Sequence, residues 1–504
     1  MNGIKKFENV KFKCEKITHI NIYLYTKDLI RYYYSNISDL ITDITGGVNM
    51  LMGFSVGNFK SFKDNQSISL VASRISRHGN HVIEKGGKRI LKSSLVFGAN
   101  AGGKSNLVKA VDFSTNIILH GIANTNMNKA HFRIDSSMYE QPGYFEYDVM
   151  IGEQEYDYGL VVSYSKNIVL SEWLIRKESD DKEVYIFNRE YDEVSQVSSM
   201  VYDEIEDEED RIYFKSLLTI FGKNISDFNM KNTILMDIAR RHNQMDGIIG
   251  EIQKVFEWFE EILIIYPDSV YGELGDITTQ EKVRVDFNEM ILGFDTGIEK
   301  IQSASQVMDF DDFVKRGMPR DVAEKMKAEW SNKVDSEPVT LQIGSNLINL
   351  HKSEDGALVY NKILFNHGNE DDPFDFEDES DGTRRLFDLL PLFQLDRKPR
   401  LVLIDEIDRS LHTNLTRKFL ELFYDRTEAM DTQLIATTHD SYLMDLQFLR
   451  QDEYWFVERE PDHSSRLYSL DDFKERFDKR IDKEYRIGRY GAIPVFSSEL
   501  SCED

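Results

Sequence analysis

The clearest chemistry in the chain sits at Gly98-Ala99-Asn100-Ala101-Gly102-Gly103-Lys104-Ser105, which satisfies the pattern G-x-x-x-x-G-K-[ST]. Glycines let backbone N–H groups turn inward around a phosphate, and a helix starting just after them adds a favourable partial charge. Lys104 is then placed to bridge the outer phosphates of a nucleoside triphosphate and the Ser105 hydroxyl to ligate Mg²⁺, with Asn106 counted among the nucleotide-binding residues. A second group lies far along the chain. In LVLIDE four apolar residues precede Asp405 and Glu406; the first carboxylate suits the Mg²⁺ shell and the second the polarisation of an attacking water. QLIATTH ends in His439, whose imidazole could sense the terminal phosphate or orient that water.

Each signal also has a plainer reading. Apolar strands often end in carboxylates, and a lone strand-end histidine is usually structural. Their order favours function, because in open α/β sheets the carboxyl ends of strands converge on the ligand.

Such groups need a scaffold. SSLVFG reads as a strand and KSNLVKAVDFSTNIIL as a helix, which gives the strand, loop and helix that a phosphate loop requires. GFSVGNFKSF and SISLVAS read as two short strands ahead of it, and YFEYDVMI, YDYGLVVSY and IVLSEWLIRK alternate apolar and polar residues as an antiparallel sheet does. Residues 200–335 look mostly helical, with an apolar segment at Val255 to Ile265 and a polar amphipathic stretch at Asp321 to Lys333. The acidic run DEIEDEED at 203–210 reads as a solvated helix face. Strand signals return at VTLQIG and LVYNKILFNHG. Helix TRRLFDLLPLF, strand RLVLIDE, helix NLTRKFLELFYD and strand QLIATTHD then follow.

The expected organisation is an extension at 1–49, an N-terminal core half at 50–178, an inserted and largely helical arm at 179–370, and a C-terminal core half at 371–504. Such division suits 504 residues, since single cores stop growing well below that length. The fold class expected is α/β: a P-loop NTPase with an antiparallel β subdomain beside the nucleotide core and a mostly helical inserted arm. The 41% hydrophobic and 30% charged composition excludes wholesale disorder. A net charge of −27 argues against nonspecific nucleic-acid binding by the whole surface, leaving room only for a local basic groove. Cys14 and Cys502 offer no metal-ligand spacing or disulfide framework, and no apolar run suggests a membrane span or signal peptide; a cytoplasmic protein is expected.

The order of phosphate loop, long insertion, the segment Glu379 to Thr383, carboxylate strand and histidine resembles the ABC ATPases of the SMC and RecF class. Within that class the chain resembles the bacterial RloA/AbiLi type of ATPase, associated with abortive infection and restriction-linked loci and related to the ATPase part of OLD nucleases. The resemblance spans roughly Met52 to Phe496 and rests on FSVGNFKSFKD, GANAGGKSNLVKA, YDYGL with SEWL, EWFEEILIIYPDS, FDTGI, ESDGTRRLFDLLP, LIDEIDRSLH, ATTHD, YWFVER, LYSLDDF and GRYGAIPVF.

It implies ATP and Mg²⁺ as ligands and a homodimer or higher oligomer that sandwiches ATP. Glu379-Ser380-Asp381-Gly382-Thr383 then resembles the signature motif, whose serine hydroxyl and glycine N–H bind the γ-phosphate of a nucleotide held by another subunit; the plainer reading is a helix N-cap. Asp408 to His412 would lie at the dimer seam. The Mg²⁺-coordinating glutamine of ABC proteins has no clear match, Gln141 being the candidate. A separately encoded effector, such as a nuclease, is the expected partner, because the chain after His439 shows no clustered carboxylates of the OLD nuclease kind. The alternative is a RecF-like DNA-binding repair ATPase. A transporter subunit fits poorly with so long an insertion, and an SMC-type tether fits poorly with the lack of heptads.

Overall fold

The computed structural model describes Leu24–Tyr25 and most of residues 49–494; outside the described residues lie 1–23, 26–48, 179–181, 222–230, 242–246, 270–276, most of 308–338, 344–345, 353–357, 394–399, 495–504 and a few single positions. The chain forms two compact units, one of residues 40–270 and 395–504 and the other of residues 1–39 and 271–394. Almost all of the expected 1–49 extension, the amphipathic stretch at 321–333 and both cysteines lie outside the described residues.

The first unit is built on a six-stranded sheet in the order Ile262–Ile265, Leu401–Ile404, Gln433–Thr438, Ser93–Phe97, Tyr454–Arg459, Ser465–Ser469. The first five strands run parallel and the last is antiparallel. The strands Ser93–Phe97, Leu401–Ile404 and Gln433–Thr438 are buried at every residue, which is why they read as unbroken apolar or small-residue runs. A seven-stranded antiparallel sheet belongs to the same unit, in the order Val197–Val201, Glu183–Asp192, Ile168–Lys177, Gln154–Ser163, Gly143–Ile151, Asn49–Gly57, Gln66–Ser69. In Gly143–Ile151 burial alternates residue by residue over most of the strand, matching the period of its sequence.

One apolar cluster joins the two sheets through the helix Lys104–His120, drawing on Leu51, Phe54 and Tyr147 from one sheet, Val96, Leu403 and Ile435 from the other, and Leu107, Val108 and Val111 from the helix. Gln433 adds a polar tie: its buried amide accepts from Leu51 N (2.6 Å) and donates to the carbonyls of Leu51 (2.9 Å) and Leu91 (2.8 Å). Glu172, from the SEWL motif, is fully buried and accepts from Arg189 (2.9 Å), the Tyr158 hydroxyl (3.1 Å) and the backbone N–H groups of Ile234 (2.7 Å) and Leu235 (3.0 Å). It thereby seats the N-terminus of the helix Ile234–Arg241 on the antiparallel sheet.

The second unit contains an antiparallel sheet in the order Leu24–Tyr25, Val339–Ile343, Asn346–Lys352, Leu358–Asn366, Lys300–Val307, with Phe374–Asp375 also pairing Leu358–Asn366. The helices Glu281–Leu292 and Asp381–Leu389 meet through Phe287 and Phe387, whose ring centroids are 4.8 Å apart, and Phe387 also packs on Phe365 at 5.1 Å and Phe376 at 5.6 Å.

The units cut across the expected boundaries. The helix Asp381–Leu389, expected in the C-terminal half at 371–504, belongs to the unit that holds 271–394, because its Phe387 completes that unit's aromatic core. The stretch expected as a helical arm, 179–370, has four described helices but also the strands Glu183–Asp192, Val197–Val201, Ile262–Ile265, Lys300–Val307, Val339–Ile343, Asn346–Lys352 and Leu358–Asn366. In EVYIFNREYD and KIQSASQV the period-two pattern outweighs any helical one. Among the described residues no helix is long and apolar enough to cross a membrane.

Candidate functional site

The strand Ser93–Phe97 delivers the chain directly into the phosphate loop, and the helix begins at Lys104. The loop reverses through two left-handed residues, Ala101 at φ 62° and Gly103 at φ 118°. A Cβ on Gly103 would stand 2.2 Å from the Ser465 hydroxyl, and one on Gly98 2.4 Å from the Val457 carbonyl oxygen, so only glycine fits either place. The loop is therefore pressed against the last two core strands. Ser465 supports it further: its hydroxyl lies 2.6 Å from the Gly102 carbonyl oxygen and 2.7 Å from the Ser61 hydroxyl, which in turn accepts from Asn106 Nδ2 at 2.8 Å.

Lys104 is 5% exposed, and its Nζ donates to the carbonyls of Gly98 (2.7 Å) and Ala99 (3.2 Å) and lies 3.2 Å from His439 Nδ1. Burial pushes its ammonium down to about 8, against the opposing pull of Asp408, Asp405 and Glu406. Since the ammonium can only donate, His439 Nδ1 is the accepting nitrogen and Nε2 carries the proton. That Nε2 is 3.7 Å from Glu406 Oε1, so the imidazole stands between the loop lysine and the second carboxylate.

Asp405 and Glu406 follow the strand Leu401–Ile404, where the backbone turns left-handed at Glu406 (φ 53°). The turn aims the two carboxylates differently: Asp405 is 3% exposed, while the Glu406 side chain is 36% exposed. Thr437, on the neighbouring strand, joins them. Its hydroxyl donates to Asp405 Oδ1 (2.7 Å) and accepts from Glu406 N (2.8 Å). Asp408 accepts from His439 N at 3.1 Å, which fixes the end of that strand.

Lys104, Asp405, Glu406 and His439 thus come together with the phosphate loop Gly98, Ala99, Asn100, Ala101, Gly102, Gly103 and Ser105. Ser380 and Gly382 lie in the other compact unit, where Ser380 is the exposed N-cap of Asp381–Leu389 and its hydroxyl accepts from Thr383 N at 3.1 Å. Gln141 is exposed on the turn before Gly143–Ile151, its carbonyl accepting from Asn58 Nδ2 at 2.8 Å, and no described contact brings it to the phosphate loop.

Sequence reasoning missed Thr437, Ser61 and Ser465. Thr437 had a signal, since it lies in the strand Gln433–Thr438 two residues before His439. Ser465 had none, being a single hydroxyl 363 residues from the carbonyl it supports.

Among solved structures the chain is similar to an SMC head bound to the C-terminal winged-helix domain of ScpA (14% identity, TM-score 0.32, covering 84% of this chain and 99% of that one). It is also similar to the SMC head domain from Thermotoga maritima (12% identity, TM-score 0.32, covering 83% and 98%). No curated protein matches the chain. The family described as "AAA domain, putative AbiEii toxin, Type IV TA system" matches residues 94–217 and 295–445, which together make up more than half of the chain and include the phosphate loop, Ser380, Asp405, Glu406 and His439. The chain belongs to that family of AAA-domain P-loop ATPases.

Proposed function

We propose that the chain is a Mg²⁺-dependent ATP hydrolase working as a dimeric switch, in which the signature Ser380 and Gly382 of one copy contact the γ-phosphate held by the phosphate loop of the other. The observation that carries the hydrolytic part is the meeting of Lys104, His439 and Glu406 within 3.2 and 3.7 Å steps at the carboxyl ends of adjacent parallel strands. Lys104 binds phosphate oxygens, displacing its own loop carbonyls. Glu406, aimed outward by its left-handed turn, accepts the proton of the attacking water. His439, with its proton on Nε2, orients Glu406 and reports the terminal phosphate through Lys104. The Ser105 hydroxyl and the Asp405 carboxylate are the hard oxygen donors Mg²⁺ favours, and Thr437 holds Asp405 in place for it. When bound, the ion offsets charge on the outer phosphates.

Glu406→Gln should bind ATP as the parent does while turnover falls at least about 100-fold. Comparable turnover in the two would sink the assignment of that carboxylate.

The family and the abortive-infection resemblance support a further step, in which the dimer holds or licenses a separately encoded effector such as a nuclease in a bacterial defence system. A tagged chain purified from its native host in ATP should then carry a protein encoded beside it, and Lys104→Ala should not. Equal recovery by both variants would refute ATP control.

One observation favours the RecF-like alternative. Lys60, Lys109 and Arg133 crowd together, and burial and these neighbours lower the Lys60 ammonium while burial, Arg133 and Lys60 lower His131. DNA-stimulated ATP turnover, abolished by reversing the charge of Arg133, would decide for that reading.

A further inference from the structure

Three motifs of the second unit have no role in the hydrolytic site: FDTGI, the Asn366-His367-Gly368 turn, and the Glu379 that precedes the signature serine. The fold brings all three to His367. Its Nδ1 is 2.9 Å from the Gly297 carbonyl oxygen, and its Nε2 is 2.7 Å from Glu379 Oε1. The imidazole therefore bridges the Gly297 carbonyl and the Glu379 carboxylate, one through each ring nitrogen. The Glu379 side chain is 5% exposed, whereas Ser380, the next residue, is exposed. The turn carrying His367 is itself tied down: Gly368 N donates to Asn366 Oδ1 (2.6 Å), Glu299 N donates to the Asn366 carbonyl (2.8 Å), and the Phe374 ring meets the imidazole edge-on at 4.9 Å.

A buried carboxylate one residue ahead of an exposed helix N-cap has one mechanical consequence. It fixes the backbone entering the helix, and hence the direction of the Ser380 hydroxyl and of the first helical N–H groups. We propose that His367 and Glu379 form a positioning pair that sets the signature Ser380 for the γ-phosphate of the partner copy's ATP. The inference deepens the trans-acting signature read above and rests on it. Neither residue touches nucleotide; both act through Ser380.

The test uses the full chain and separates turnover from nucleotide binding by the isolated subunit. His367→Phe keeps a ring against Phe374 but removes both nitrogens; kcat should fall about tenfold while ATP affinity of the isolated subunit stays within about twofold, as expected when a group acts only in the assembled site. His367→Gln restores an N–H donor towards Glu379 and should bring kcat back to within about threefold of the parent. Glu379→Leu removes the other half without leaving a buried charge, and carries the test if His367→Phe fails to fold; it should lower kcat as His367→Phe does. Normal kcat in His367→Phe or in Glu379→Leu overturns the pair, as does a His367→Gln no better than His367→Phe. Ser380→Arg run alongside distinguishes the two levels. Full turnover in Ser380→Arg means the signature reading itself has failed; an inactive Ser380→Arg beside fully active pair variants means only the positioning pair has.

Discussion

At the scale of single residues, the site is organised around an ammonium that is costly to keep charged. Lys104 is buried among its own loop carbonyls and held down to about 8, so a phosphate supplies the compensation that the folded chain lacks. The consequence is a pH dependence of definite sign. Between about 8 and the ordinary value of 10.5 the folded chain leaves Lys104 largely neutral while the unfolded chain keeps it protonated. The unfolded state therefore binds more protons there, so the contribution of this group to stability rises with pH across that window and is a standing cost below it. Binding runs the other way, because ATP needs the ammonium. ATP affinity of the isolated subunit should be level up to pH 7 and weaker by about tenfold at pH 9, with proton uptake visible when calorimetry is repeated in buffers of different ionisation heat. Lys104→Arg cannot lose its charge in this range and should lack the limb, whatever its affinity. An affinity flat from pH 7 to 9 in the parent would show that the lysine is charged throughout.

At the scale of elements, what could be read from the sequence was what is local. The strand, glycine loop and helix around Lys104 are legible because a buried apolar run, two left-handed positions and a helix start fall within a dozen residues, and the short strand ahead of Asp405 is legible for the same reason. Supports from afar were not. Ser465 reaches the loop only because an added antiparallel strand closes the sheet edge, and the aromatic core of Phe287, Phe365, Phe376 and Phe387 joins segments whose separation hid the second unit. That core decides where Ser380 and Gly382 belong. The helix Asp381–Leu389 is carried by a unit other than the one that carries Lys104. If signature and phosphate loop act across two copies, defects in them complement. Ser380→Arg and Lys104→Ala should each be inactive alone, and an equimolar mixture, with heterodimer verified, should regain on the order of a quarter of parental turnover from its one intact composite site per heterodimer. A mixture that gains nothing would remove the main support for the shared site.

At the scale of the whole molecule, the proposed dimer would form between two chains that each carry a net charge of −27. Two such surfaces repel at long range, so association cannot rest on general attraction and needs a specific short-range contribution. ATP held between a phosphate loop and a partner's signature would provide it, since a ligand that binds only the dimer stabilises the dimer by mass action. In the proposed switch hydrolysis would remove the contact, and the repulsion that opposed assembly would then help the copies part. Glu406→Gln should expose this balance, because it keeps ATP from being spent. Light scattering should give the mass of one chain with ADP and of two with ATP. The ATP-dependent dimer should tighten as salt rises from about 50 to 200 mM, opposite to an assembly held by complementary charge, because shortening the Debye length screens the repulsion more than the buried phosphate contacts. Lys104→Ala should stay a single chain under every condition. The same mass in ATP and ADP for Glu406→Gln would remove nucleotide from the control of assembly, and a dimer that loosened with salt would mean that opposite charges meet across the seam despite the acidic whole.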